Sequence, residues 1–78
     1  MEGMYHIELY LPQLFKCAEL TVKETLPIRE ALWLLGREYG LPQGDQVLLS
    51  LLEEKRLDPS LTFCEAGIRT GDRLILII

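Results

Sequence analysis

The sequence lacks any apolar run long enough to cross a bilayer. Leu74–Ile78, as long as any in the chain, is five residues long, against the ~20 that a spanning helix needs. Its first residues, Met1-Glu2-Gly3-Met4, are acidic and pass straight into an alternating segment. No secretory leader is therefore expected, and a soluble cytoplasmic protein is the default reading. Cysteine is scarce. Cys17 and Cys64 form no CxxC pair and have no histidine nearby, so zinc ligation is not expected and both are read as free thiols. Basic residues are few as well: eight Lys and Arg stand against twelve Asp and Glu, for a net charge of −4 and a pI near 4.8. Only Lys55 and Arg56 are adjacent. Binding to a phosphate backbone needs clustered cations, so nucleic acid is not expected as a partner. Low-complexity segments and internal repeats are missing too.

What is present is enough apolar material for one small core. Of the 78 residues, 49% are hydrophobic, which places the chain among folded single domains, 1–78, near the lower size limit for a self-supporting core. Tyr5–Leu11 alternates, with Tyr5, Ile7, Leu9 and Leu11 on one side and His6, Glu8 and Tyr10 on the other; this is a half-buried strand ended by Pro12. Ala18–Lys23 alternates again after a short connection, giving an antiparallel hairpin. Ile28, Ala31, Leu32, Leu35 and Tyr39 make one apolar stripe at helical spacing. Pro27 suits the first turn of that helix, Gly40 its left-handed cap and Pro42 a stop, so a helix over 27–39 is predicted. Gln46–Leu52 reads as a third strand, apolar on both sides. Arg56-Leu57 reads as a very short strand, Leu61–Ala66 as a single helical turn and Arg73–Ile78 as the last strand.

An amphipathic helix cannot bury its stripe alone, nor a sheet its inner face, and packing one on the other satisfies both. The predicted fold class is therefore α+β: a mixed ββαββ sheet, with one further short strand, packed on one helix. The first and last strands are placed side by side at its centre.

Catalytic groups are hard to assemble from this chain. His6 is the sole histidine and has no nucleophile beside it, so it is read as a solvated strand residue. Cys64 has Glu65 as its neighbour, and a carboxylate opposes the thiolate that a nucleophilic cysteine needs. Cys17 receives the same reading. Gly67 and Gly71 are not followed by Lys-Ser/Thr and a helix, so they are turn glycines rather than a phosphate loop. Asp72 with Glu65 makes a poor metal pair, and Asp72 is better read as a turn residue bonding nearby backbone. No cofactor and no metal are expected, and the protein is not expected to be an enzyme.

The element order resembles the β-grasp arrangement of ubiquitin-like domains over Tyr5–Ile78. The residues that carry the resemblance are the Val22–Ile28 passage across Pro27, the Lys55-Arg56-Leu57-Asp58 and Leu61-Thr62-Phe63 segments, and above all Gly67-Ile68-Arg69-Thr70-Gly71-Asp72-Arg73-Leu74. Within that superfamily the chain is similar to the EsaB/YukD-like accessory proteins of the type VII (ESAT-6-like) secretion systems of Gram-positive bacteria. It shares their length, the Pro27-Ile28 helix start and the Gly67-Ile68…Gly71-Asp72-Arg73-Leu74 close. The resemblance implies a cytosolic accessory protein, peripheral to a membrane secretion complex, that works by binding components of its machinery. Conjugated and sulfur-carrying relatives react through a slim Gly-Gly tail. This sequence holds no Gly-Gly pair and closes on Ile77-Ile78, stiff strand-favouring residues that an adenylating enzyme is not expected to thread.

Recognition of other proteins is left as the function, and exposed apolar side chains are its expected site. If Leu74, Leu76 and Ile78 face the helix, Ile75 and Ile77 face out. In either register two or three of Val47, Leu48, Leu49, Leu51 and Leu52 must face out as well, with Leu48 and Leu52 the candidates; Tyr10 from the first strand, flanked by Leu14 and Phe15 from the hairpin loop, is expected to join them in one patch on the open sheet face. Trp33, off the core stripe of the helix, is a second candidate anchor. The alternatives are a generic adaptor, a homo-oligomer formed through the same patch, and, more remotely, a modifier or sulfur carrier.

Overall fold

The computed structural model describes residues 3–42, 44 and 46–77. The inward placing expected for Ile78 lies outside the described residues. Strand β1, Met4–Leu11, turns through a 3-10 segment, Pro12–Leu14, into β2, Lys16–Lys23. All eight residues of β1 pair antiparallel with β2, from Met4 opposite Lys23 to Leu11 opposite Lys16. Helix α1, Ile28–Tyr39, follows. Pro27 caps its start in an extended conformation, and its missing N–H would have had no partner there. Gly40 ends it at φ 65° and donates its N–H to Gly36 O, a left-handed cap that a side chain would strain.

The remaining strands are β3, Val47–Ser50, β4, Lys55–Arg56, and β5, Arg73–Ile77. The sheet order is β2-β1-β5-β3-β4. Strand β5 runs parallel to β1 and antiparallel to β3. The architecture is thus α+β, a mixed five-stranded sheet with one helix. Ile7, Leu9, Leu11, Leu48, Leu74 and Leu76 from the sheet share one core with Ile28, Ala31, Leu32 and Leu35 from the helix. Leu57, Phe63, Ala66 and Ile68, from the connections between β4 and β5, complete it.

Three local expectations change. Strand β3 ends at Ser50 rather than Leu52, because the chain turns there: the Ser50 hydroxyl donates to Asp72 Oδ2 at 2.8 Å and accepts the Glu53 N–H at 3.1 Å. The short strand falls one residue earlier than Arg56-Leu57. The single helical turn expected over Leu61–Ala66 is narrower than that span, since much of its backbone bonds elsewhere. Leu61 O accepts from Ile28 N, while Phe63 N and Cys64 N donate to Leu26 O and Glu24 O. Only Ala66 N to Thr62 O closes a single helical turn.

Asp72 is 1% exposed, and its carboxylate accepts three hydrogen bonds: from the Ser50 hydroxyl, Leu52 N at 3.2 Å and Arg73 N at 2.7 Å. Its own carbonyl accepts from Glu8 N at 3.1 Å. One residue thereby ties the end of β3, the start of β5 and the middle of β1. Gly71, at φ 92°, delivers the chain to this point and donates to His6 O at 2.8 Å; a positive φ of that size favours glycine. Ser50→Ala should cost about 1–3 kcal/mol, because it deprives a buried carboxylate of a donor and Glu53 N–H of its acceptor. Urea unfolding measures this directly.

The connections hold two further carboxylates in place. Asp58 accepts from Ser60 N at 2.9 Å and Ser60 Oγ at 2.8 Å, and these bonds lower its pKa below the ordinary carboxylate range. Glu65 and Thr62 bond each other reciprocally, side chain to backbone N–H, and the Thr62 N–H lowers the Glu65 pKa in the same way. A carboxyl with a depressed folded pKa stabilises fully above its unfolded value, and that contribution disappears as pH falls through the folded one. The contribution of these two carboxylates should therefore be complete above the unfolded carboxylate range of about 4 and be lost as pH falls below it. Asp58→Asn with Glu65→Gln should flatten that acid limb in urea titrations run at stepped pH.

Candidate functional site

The helix covers one face of the sheet and leaves the other open. The strand register decides what lies there. Cys17 pairs with Tyr10, Tyr10 with Ile75, Ile75 with Leu49 and Leu49 with Arg56. Directly paired residues point to the same face, so these five form one row across all five strands. Beside it, Ile77 pairs with Val47. On the other side lies a charged row in which Glu19 pairs with Glu8 and Glu8 with Arg73; Leu51 joins it through its N–H to Arg73 O. Beyond it His6 pairs with Thr21.

The open face is therefore divided. Its apolar part is Tyr10, Ile75, Leu49, Val47, Ile77 and Leu51, with Tyr10 43%, Leu51 48% and Ile77 36% exposed. Its polar part begins at an Arg73–Glu8 ion pair of 3.0 Å. Both side chains of that pair are well exposed, so it orders the surface more than it stabilises the fold. Two shallow depressions meet at Glu8, Glu19 and Arg73. One, of about 520 Å³, runs over Tyr10, Cys17, Ala18 and Leu51. The other, of about 310 Å³, runs over His6, Thr21 and Gly71.

The side chains expected to form one patch are distributed over the molecule. Tyr10, Ile75 and Ile77 are together on the open face. Leu48 is not: it is 3% exposed and lies in the core. The reason is register. Leu48 pairs with Leu76 and Leu74 with Leu9; Leu74 and Leu76 point inward with Leu9, and Leu48 must follow them. Val47 and Leu49 take the outward places instead. Leu52 is exposed, in the turn after β3. Phe15 is 91% exposed at the tip of the hairpin, at φ 52°, whereas Leu14 packs against the core. Trp33 is half exposed on the helix, with the Arg37 guanidinium 5.0 Å from its ring centroid; it lies across the sheet from Tyr10 and Ile75. Leu34, which falls outside the stripe set by Ile28, Ala31, Leu32 and Leu35, is as exposed as Trp33. That exposure follows from helical spacing, a signal present in the sequence.

The titratable groups stand apart. His6 Nδ1 is 3.0 Å from Thr21 Oγ1, and the His6 N–H donates to Thr70 Oγ1 at 3.1 Å. Cys17 and Cys64 are both free and exposed. Partial burial, and next a hydrogen bond with Cys64, raise the pKa of the Tyr5 phenol above its usual value. Glu65 and Asp72 do not converge, since each is bonded to a different neighbour. Among the described residues, no group of three His, Cys, Asp or Glu side chains is placed to hold a metal ion. No helix among them is long and apolar enough to cross a membrane.

Substitutions separate the two classes of leucine in β3 and its turn. Leu48→Asp should cost more than about 4 kcal/mol, by placing an unpaired charge in the core. Leu52→Asp should change stability by less than about 0.5 kcal/mol. Chemical denaturation of both variants is the check.

No protein-family model matches the sequence, and no curated protein matches it. Solved structures do. A computationally designed protein based on the template of human erythrocytic ubiquitin is 35% identical, with a TM-score of 0.79 over 95% of this chain and 90% of that one. A ubiquitin-like domain from tubulin-binding cofactor B superposes with a TM-score of 0.82 at 15% identity, over 97% of this chain and 90% of that one. The C-terminal ubiquitin-like domain of mouse tubulin-specific chaperone e gives 0.80 at 15% identity, over 97% and 88%. The last two likenesses speak to the fold alone.

Proposed function

The chain belongs to the ubiquitin-like β-grasp family, and we propose that it is a non-catalytic, non-conjugated module that binds another protein through its open sheet face. The observation that supports this most directly is the row Tyr10–Ile75–Leu49, with Val47, Ile77 and Leu51 beside it and Glu19, Glu8 and Arg73 along one border. An apolar centre with a charged rim is the make-up of a protein-recognition surface. The rim charges orient a partner, while the aromatic and aliphatic side chains supply the buried contact. A catalytic reading has no comparable support, as His6 and the two cysteines are not assembled with a base or nucleophile.

A narrower form of this reading makes the protein a cytosolic accessory component of a type VII-like secretion system. It rests on the sequence resemblance at Pro27-Ile28 and Gly67-Ile68…Gly71-Asp72-Arg73-Leu74. A gene neighbourhood without a small helical WxG-motif substrate or an FtsK/SpoIIIE-like ATPase would remove this narrower form and leave the binding function standing. Intact-mass measurement of the native protein tests non-conjugation; an adduct on a partner would contradict it.

The binding function is tested with Tyr10→Ala and Ile75→Asp, each first shown to be folded by circular dichroism. Both should weaken capture of the wild-type partner at least about tenfold, the equivalent of about 1.4 kcal/mol. Full retention of that partner by both variants would overturn the reading.

A further inference from the structure

The helix buries one side and leaves the other bare. The exposed half consists of Arg29, Glu30, Trp33, Leu34, Arg37 and Glu38. Trp33 and Leu34 are each 48% exposed, a large apolar area at the centre of four charges. The single ion pair among the described residues joins Arg73 to Glu8, so among those residues none of these four charges forms an ion pair, although the Arg29 charge acts on Asp58. Arg37 instead lies over Trp33.

The spacing of these residues has a consequence. Glu30 and Arg37 are seven positions apart, about 700°, or ~20° short of two turns, so they lie on one line down the middle of the bare half. They are also ~10 Å apart along the axis, too far to pair with each other. Trp33 and Leu34 sit at mid-height, about 50° to either side of that line.

We propose that this half of α1 is a contact between two copies of the chain, with the helices packed antiparallel about a two-fold axis level with Trp33 and Leu34. The axis brings Glu30 against Arg37 of the partner subunit, and Arg37 against Glu30 of the partner subunit. Between these pairs Trp33 meets Trp33 of the partner subunit, and Leu34 meets Leu34 of the partner subunit. A two-fold contact requires a surface that is its own complement, and this one is: the acid and the base stand at equal distances on either side of the axis. A parallel pair in register would set Glu30 on Glu30 and Arg37 on Arg37, so the charges select the antiparallel direction. The same symmetry favours a second copy over an unrelated helix.

The contact is small. Twelve residues of helix are ~18 Å long, and one such face falls short of the ~800 Å² per partner of a standard stable interface. The dimer is accordingly weak and depends on concentration. It leaves both open sheet faces free, on the sides away from the contact. Under the function proposed above, on which this one consequence rests, it would present two docking faces and bind a repeated partner more tightly than one copy can.

Self-association is measured on the full chain alone, by sedimentation across a dilution series. Trp33 is the one tryptophan in the sequence, so its emission reports burial of the contact directly. Mass should rise towards twice the monomer as concentration increases, with a blue shift of Trp33 emission over the same range. Glu30→Arg and Arg37→Glu should each weaken the dimer about tenfold or more, and the combined variant should recover much of the loss, because the swapped charges again meet opposites. Ile75→Asp should dimerise like the wild type. A chain that stays monomeric up to about millimolar concentration, where even weak pairs of this size associate, would overturn the proposal. So would a dimer indifferent to both single charge variants, a combined variant no better than either alone, or loss of the dimer in Ile75→Asp. No second protein takes part, so failure here is distinct from failure of the sheet-face reading.

Discussion

The structure depends on the last strand entering between the first and the third. Among the described residues, strand β5 supplies the only backbone link between the β1–β2 hairpin and the β3–β4 hairpin within the sheet. Without it each hairpin is a two-stranded ribbon, marginal in water. A parallel neighbour such as β5 cannot follow β1 through a tight turn; it needs a long crossover. Here the helix and the connections between β4 and β5 are part of that path, and their apolar residues close the core that the sheet begins. Insertion of β5 and burial of the helix stripe are one event.

Asp72 is where this insertion is registered. Its side chain holds the Ser50 hydroxyl and Leu52 N, and its carbonyl holds Glu8 N. A shift of β5 by one residue would break these bonds and reverse which of its side chains face the core. The same constraint that builds the core therefore composes the open face. Once Leu74 and Leu76 are inside, Ile75 and Ile77 are outside beside Tyr10, Leu49 and Val47, and Arg73 lies against Glu8. Core packing and the recognition surface are two sides of one register.

Much of this was legible in the residues. Tyr5–Leu11 and Ala18–Lys23 alternate with period two, and the stripe from Ile28 to Tyr39 has period 3.6, so hairpin and helix could be placed from local patterning. The Pro27 start and the Gly40 stop have local chemical causes as well. The Gly71-Asp72 turn was recognisable, but its use of Ser50 was not, since the two meet across 22 positions. Leu61–Ala66 reads as one full helical turn because composition does not reveal that Leu61, Phe63 and Cys64 bond the backbone of Glu24–Ile28, leaving only Thr62–Ala66 to close the turn.

Strand β3 marks the boundary most clearly. Val47-Leu48-Leu49 is apolar on both sides, so no periodicity says which side is inner, and Leu48 is as good an outward candidate as its neighbours. Only pairing with β5 orients it. What the sequence determined by itself was the set of elements, the α+β class and the inward side of every segment whose polar and apolar residues alternate. Tertiary structure alone decided the side of each residue in a strand without alternation, the partner of a buried carboxylate, and which exposed apolar groups share a surface. The physical reason is that local patterning reports contrast along the chain, whereas a face of a sheet is assembled from strands distant in sequence, whose register is set by hydrogen bonds and by burial of the whole core.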